Sequence, residues 1–138
     1  MIENYMIPEN LTVYCVTAET FPEGALKAHK QLHAKVPLSY ERKYFGISRW
    51  ENRTMIYKAG ATALSPGELD ALGLEKVVLP KGDYLSIIVK DFMSDVSAIG
   101  RAFEQLTSLP DVDPEGYGLE WYFNDGDVQC MMRKKDQL

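Results

Sequence analysis

The chain has 138 residues, of which 46% are hydrophobic and 25% are charged. This length and composition are typical of one soluble globular domain with an apolar core. The formal net charge is −5, and an acidic chain lacks the cationic surface that gives DNA-binding proteins most of their non-specific affinity. Direct binding to nucleic acid is therefore not expected.

The sequence carries no sign of export or of a membrane anchor. The opening residues, MIENYMIPEN, lack the basic and apolar regions of a signal peptide, and no apolar run approaches the ~20 residues of a spanning helix. Cys15 and Cys130 fit no metal-ligand spacing and fall in predicted strands, where a free cysteine behaves as a small buried hydrophobe. We expect a cytoplasmic protein with reduced thiols, no bound metal and no cofactor.

The first half of the chain predicts the order β-α-β-β. Residues 11–18 are rich in β-forming side chains, and residues 24–36 show helical spacing that ends before a proline. Residues 43–50 and 54–64 flank a polar turn and predict a hairpin.

The segment 65–74 predicts a short connecting helix. Ser65 is a suitable N-cap, Pro66 would occupy the first helical position, and Glu68 lies three residues after the cap.

The second half repeats the same order of elements. Residues 75–92 are strand-like with a turn around Pro80-Lys81-Gly82, and residues 96–109 have a helical apolar stripe. Two strands between 116 and 133 are joined by Asn124-Asp125-Gly126, a strong hairpin signal. We predict an α+β domain over 1–138: a largely antiparallel sheet built from βαββ units at about 10–64 and 75–134, with both helices on one side and a ligand cleft between the halves.

One carboxylate, Glu120, stands in an aromatic strand. Alternation places Glu120 and Tyr122 on one face and Leu119 and Trp121 on the other. A buried carboxylate without a partner would have a raised pKa. A bound cation could supply its missing partner, or Glu120 could lie on a solvated sheet face. Internal partners are also available: Arg49, Arg53, Lys58 and Arg133.

Two further patterns have competing interpretations. The strands carry many aromatic side chains that could be core or pocket wall, namely Tyr44, Phe45, Trp50, Tyr57, Tyr84, Tyr117, Trp121 and Tyr122. His29 and His33 stand four residues apart on a helix, but Lys30 occupies the place where a zinc protease needs its glutamate. We interpret them as helix-surface histidines.

Three stretches in order resemble the GyrI-like domains, the bacterial transcription-activator effector-binding family. These are MIYKAG (55–60), VVLPKGDY (77–84) and Glu120-Trp121-Tyr122. The resemblance implies two pseudo-symmetric βαββ units with a pocket between them that takes bulky lipophilic cations, and a glutamate, here Glu120, that contacts the positive charge. It further implies a pocket wall made of Phe45, Trp50, Tyr57, Tyr84, Trp121 and Tyr122.

Three functions remain open at this point. The first is a standalone small-molecule (effector or drug) binding protein without a fused DNA-binding module. The second is a GyrI-like hydrolase in which Glu120 acts as acid or base. The third is a protein-binding regulator, such as a gyrase inhibitor, whose partner is unknown.

Overall fold

A computed structural model of the protein describes residues 1–135 and residue 137. Over these residues the chain forms one eight-stranded sheet and two α-helices, and every strand pairing is antiparallel. The α+β prediction is confirmed. The elements are β1 (Ile2–Ile7), β2 (Leu11–Thr17), α1 (Ala25–Lys35), β3 (Tyr44–Glu51), β4 (Thr54–Ala61), β5 (Glu75–Leu79), β6 (Gly82–Val89), α2 (Ser97–Thr107), β7 (Gly118–Trp121) and β8 (Val128–Arg133).

The strand order shows two matching halves. It runs β1-β6-β8-β7-β3-β4-β2-β5. The unit β2-α1-β3-β4 contributes one block of three strands, and the unit β6-α2-β7-β8 contributes the other block in mirrored order. The halves meet where β7 pairs with β3, so side chains at that junction are central in the sheet.

Two short loops force the sheet to curl. Residues 8–10 join β1 to β2, and residues 80–81 join β5 to β6, although each pair of strands lies six positions apart in the sheet. Six strand spacings of a flat sheet measure about 29 Å, whereas these loops span at most about 15 Å and 11 Å. The two edges must therefore approach each other, which gives a half-barrel.

Both helices pack on the outer face of the curl. α1 buries Ala28 and Leu32 against the face of β4 that carries Ala59, and α2 buries Ala102 and Leu106 in a second cluster. The inner face of the curl has its own apolar core, which includes Val13, Phe45, Ile47, Leu79, Tyr84, Leu119 and Met131. Both faces of the central strands are thus covered.

The connecting helix predicted for 65–74 is not formed. Glu68 N donates to Ser65 O at 3.1 Å and Gly67 has a φ of +81°, which are features of a type II turn with proline and glycine in its central positions. A single 3-10 turn over Asp70–Leu72 follows. A glycine with positive φ interrupts the helix that the capping pattern indicated.

Two features of the strands were not predicted. β1 pairs with β6, although the sequence of residues 2–7 contains a glutamate and an asparagine and gave no strand signal. The strands on either side of Pro80-Lys81 do not pair with each other, because β5 pairs with β2 and β6 pairs with β1 and β8.

Candidate functional site

Glu120 lies at the centre of the sheet on the face that carries the helices. Its cross-strand neighbours are Gly46 on β3 and Cys130 on β8. The residue is only 7% exposed. The face predicted from alternation is confirmed, since Leu119 lies in the inner core with Trp121 packed against it.

Among the residues that the structure describes, hydrogen bonds and no cation hold this carboxylate. Oε1 of Glu120 accepts from the Tyr57 hydroxyl at 2.9 Å and also from the Tyr122 hydroxyl. His29 Nε2 lies 2.8 Å from the Tyr57 hydroxyl oxygen. Within residues 1–135 and 137, no lysine or arginine forms an ion pair with Glu120.

Three of the internal partners considered from sequence make other contacts. Arg49 pairs with Glu51, Lys58 pairs with Glu75, and the Arg133 guanidinium donates to the Lys81 carbonyl.

Burial controls the ionisation of Glu120 and of the three side chains linked to it. It raises the pKa of Glu120, while the hydrogen bonds from Tyr122 and Tyr57 act in the opposite direction. Burial also lowers the pKa of His29 to about 4 and raises the pKa of both tyrosines. At neutral pH the histidine and both phenols are therefore uncharged.

Aromatic rings cover the carboxylate. Phe21, in the turn before α1, stacks on Tyr57 with ring centroids 4.9 Å apart and an interplanar angle of 13°. The His29 ring meets Tyr122 edge-on at 5.3 Å, and Phe92 packs on the same tyrosine at 5.5 Å. We call these five residues the aromatic cover: Phe21, His29, Tyr57, Phe92 and Tyr122.

Two glycines make room for this arrangement. A Cβ at position 46 would lie 2.5 Å from Glu120 Oε1 and 2.8 Å from Tyr57 Cζ. A Cβ at position 118 would lie 3.1 Å from Cε1 of Phe103 on α2. Gly46 thus lets the tyrosine reach the carboxylate, and Gly118 lets α2 lie close to the sheet.

Two clefts open on the molecule, and Glu120 lines neither of them. The smaller, of about 80 Å³, lies on the helix-bearing face beside Gly118, with Trp50 and Phe103 in its wall. The larger, of about 220 Å³, opens at one end of the half-barrel between the loop 8–10 and β3. Only the smaller cleft shares a sheet face with Glu120.

The structure divides the predicted pocket residues between these places. Tyr57 and Tyr122 contact Glu120, and Trp50 lies 61% exposed at the smaller cleft. Phe45 and Trp121 line the larger cleft on the opposite sheet face. Tyr84 is buried in the inner core, where its hydroxyl donates to the Pro80 carbonyl at 2.6 Å.

Sequence reasoning missed Gly46, Phe21, His29 and Phe92. His29 is not a helix-surface residue, because it is partly buried and bonded to Tyr57, whereas His33 is exposed. Its spacing was the available signal, because it stands four residues after Ala25 and three before Leu32 on the predicted apolar stripe. Phe21 lies in a turn and Phe92 in a short 3-10 helix, Phe92–Ser94. The two are far apart in sequence, and nothing local indicates that they meet the same pair of tyrosines.

The described part of the chain shows neither a metal-binding group nor a membrane-spanning helix. Residues 1–135 and 137 contain no group of three histidine, cysteine or acidic side chains arranged to hold a metal ion. None of the helices found there has the length and apolar character needed to cross a membrane.

Comparisons with known proteins give a fold but no family membership. No family model matches the chain, and no curated protein matches its sequence significantly. Among solved structures it is similar to an integron cassette protein from Vibrio cholerae, with a TM-score of 0.71, 15% identity, and coverage of 97% of this chain and 95% of that one.

Two other solved structures carry functional descriptions. SAV2435, solved with tetraphenylphosphonium bound, has a TM-score of 0.66 at 12% identity over 99% of this chain and 94% of that chain. A hydrolase from Listeria innocua has a TM-score of 0.61 at 9% identity over 97% and 91%. At such identities the likeness establishes the architecture, which fits a GyrI-like fold.

Proposed function

We propose that this protein binds lipophilic organic cations at Glu120, as a small-molecule-binding protein of the effector- or drug-binding kind. The observation that carries the proposal is a carboxylate only 7% exposed that has tyrosine donors but no cationic partner among residues 1–135 and 137. Such a group loses much hydration and gains little Coulomb energy in return. A ligand cation supplies the missing charge.

The rings around Glu120 suit the apolar part of the same ligand. Ring faces and edges meet in one cluster, formed by Phe21, Tyr57, Phe92 and Tyr122. Each ring face that meets a cation adds about 0.5–2 kcal/mol. A hydrated inorganic cation would gain little from these contacts, whereas a bulky organic cation gains from both the charge and the rings.

Access requires the aromatic cover to move. Phe21 is 38% exposed and belongs to the turn before α1, so its ring is the outermost part of the cover. A ligand that displaces Phe21 from Tyr57 would reach the Tyr57 and Tyr122 hydroxyls first and the carboxylate next. The smaller cleft beside Gly118 and Trp50 provides adjacent space for an extended ligand on the same face.

The neighbour SAV2435 supports this choice of ligand. It shares the architecture and was solved with a lipophilic cation, tetraphenylphosphonium. The transfer to this chain rests on Glu120 and its rings, since the identity of 12% carries no residue-level argument.

The test compares two ions of the same shape and opposite charge. Isothermal titration calorimetry with tetraphenylphosphonium should show binding, and tetraphenylborate should bind more weakly. Glu120→Gln should weaken tetraphenylphosphonium binding by about thirtyfold or more, because loss of one partner of a buried charge pair costs about 2 kcal/mol or more.

The matched control is Glu104→Gln, which removes an exposed carboxylate on α2 and should leave the affinity unchanged. Equal affinity of the wild type for both ions, or equal binding of tetraphenylphosphonium by wild type and Glu120→Gln, would refute the proposal.

A second candidate function is hydrolysis with Glu120 as the acid or base. The hydrogen-bonded chain from His29 through Tyr57 to Glu120 favours it. A carboxyl whose pKa is raised by burial holds its proton to higher pH than an exposed one and can act as an acid, and a linked chain can restore the proton. The Listeria innocua neighbour is described as a hydrolase. Turnover of an electrophilic ligand that Glu120→Gln abolishes while ligand binding survives would favour this candidate over binding alone.

A further inference from the structure

The larger cleft is a second cavity that the Glu120 site does not use. It has a volume of about 220 Å³ and opens at the end of the half-barrel where residues 8–10 cross between the sheet edges. Its lining combines β1, the crossing loop, Leu11 at the start of β2, Lys43 just before β3, and the inner faces of β3, β7 and β8. The curl of the sheet itself creates this hollow.

Aromatic and apolar side chains form most of the lining, and Glu9, Asn10 and Lys43 are its polar residues. Tyr5 and Trp121 lie 5.7 Å apart at an interplanar angle of 48°, and Phe45 is buried directly across from Trp121 in the β3–β7 register. Ile7 and Met131 belong to the inner core. Three rings around a hollow of this size suit a ligand of one or two fused aromatic rings, since drug-sized pockets are about 300–1,000 Å³.

An ammonium group stands at the mouth of the cavity. The Lys43 ammonium lies 5.4 Å from the Trp121 ring centroid, and no ion pair within the described residues includes Lys43. Lys81 and Arg133 belong to the same end, because Lys81 N donates to Asn10 Oδ1 and the Arg133 guanidinium donates to the Lys81 carbonyl.

Among the residues that line the cavity, Glu9 is the one carboxylate and Lys43 the one cation. Lys81 and Arg133 add basic side chains at this end, outside the lining.

We propose that this cavity is a second ligand site, which takes a small planar aromatic carboxylate. The rings lie between Tyr5, Phe45 and Trp121, and the carboxylate faces Lys43. An aromatic cation is disfavoured, because the Lys43 ammonium already lies over the Trp121 ring and would repel a second positive charge. The site is on the opposite sheet face from Glu120 and has the opposite charge preference, so it is independent of the proposed cation site.

The two tryptophans of the chain provide a direct readout. Trp121 lines this cavity and Trp50 lines the cleft on the other face. In a ¹⁵N–¹H spectrum, 2-naphthoate should shift the indole N–H signal of Trp121 and leave that of Trp50 in place. A Trp50→Phe variant assigns the two signals, and the matched amine 2-naphthylmethylammonium should bind more weakly.

Two variants with a matched control complete the test. Lys43→Gln should weaken 2-naphthoate binding by about two- to fivefold, the range expected for a solvent-accessible ion pair, and Lys43→Arg should restore it. Leu11→Phe should fill the hollow and abolish the Trp121 shift. Lys90→Gln removes an exposed charge elsewhere and should change nothing.

Three results would overturn the proposal. The first is the absence of a Trp121 shift at about 5 mM 2-naphthoate, where even millimolar affinity is visible. The second is equal or tighter binding of the amine. The third is unchanged binding in folded Leu11→Phe protein.

Discussion

Gly46 is the position where one added methyl group tests the candidate site most directly. Its Cβ would lie 2.5 Å from Glu120 Oε1 and 2.8 Å from Tyr57 Cζ, both well inside contact distance. Tyr57 is 2% exposed and Glu120 is 7% exposed, so neither side chain has free space to retreat into. Gly46→Ala should therefore separate the Tyr57 hydroxyl from the carboxylate.

The cost follows from two terms. Loss of a hydrogen bond to a charged group costs about 1.5–3 kcal/mol, and overpacking of a dense interior costs about 1–3 kcal/mol. We expect a total loss of about 2.5–6 kcal/mol. The entropy of unfolding of a chain of 138 residues is about 0.3 kcal/mol per degree, which converts this loss into a Tm lower by about 9–21 °C.

Differential scanning calorimetry measures the effect in four variants: Gly46→Ala, Gly100→Ala, Tyr57→Phe and the double variant Gly46→Ala/Tyr57→Phe. Gly100→Ala is the control: its Cβ would meet nothing within 4 Å in α2, and replacing a helical glycine should stabilise the fold by about 0.5–1 kcal/mol. Gly46→Ala should cost less, by about 1 kcal/mol or more, in a Tyr57→Phe background, because the phenolic oxygen is then absent and the two sites are coupled.

The reasoning is refuted if Gly46→Ala melts within about 2 °C of the wild type, or if the penalty is the same in both backgrounds, since contacting residues normally couple.

Three further predictions concern ionisation. Burial raises the pKa of Glu120 in the folded state. Its stabilising effect is therefore complete below the unfolded pKa of about 4.3 and is lost as the pH rises through the folded value. Glu120→Gln should gain stability relative to wild type as the pH rises above about 4.3, and a difference in Tm that stays constant with pH would contradict this. The pKa of Glu68 shifts in the opposite direction, because hydrogen bonds from Arg42 lower it to about 2. Glu68→Gln should therefore be less stable than wild type at pH 7, and in urea titrations this gap should close as the pH falls from about 4 to about 2. A gap that persists at the acid end argues against the pairing. Burial raises the pKa of Cys15 and of Cys130 to about 12. Iodoacetamide at pH 8 should therefore label neither thiol in the folded protein and both thiols in guanidinium, as measured by mass spectrometry. Labelling of the folded protein would disprove the burial.

Patterns of local origin were predictable. α1 ends at Lys35 because Pro37 cannot continue it, and the Asn124-Asp125-Gly126 turn joins β7 to β8 with Asn124 Oδ1 accepting from Gly126 N at 2.8 Å. The face of Glu120 followed from strand alternation alone. These features depend on residues that are neighbours in sequence.

Features that depend on pairing over long distances were not predictable. β1 contains Glu3 and Asn4, and it is a strand because the edge of β6 is available to it. Phe45 and Trp121 were assigned to the Glu120 pocket by resemblance, although alternation already placed Trp121 on the Leu119 side. The register of β3 against β7 puts Phe45 beside Trp121, and no single strand reveals this register.

The aromatic cover combines both kinds of information. Tyr57 stands in β4 and Tyr122 directly follows β7. Both were nominated through the family resemblance, and strand alternation also placed Tyr122 on the face of Glu120. Phe21 and Phe92 lie in connecting segments, where no periodicity indicates the direction of a side chain.

The reciprocal crossing of the two short loops has a consequence for the integrity of the molecule. The leading strand of each half completes the other half: β1 lies beside β6, and β5 lies beside β2. Each half therefore depends on a strand of the other half for its outer pairing. We expect that cutting the chain between the halves would leave two fragments that fold only by complementing one another. We also expect the two halves to unfold as one cooperative unit, with Glu120 at the seam between them.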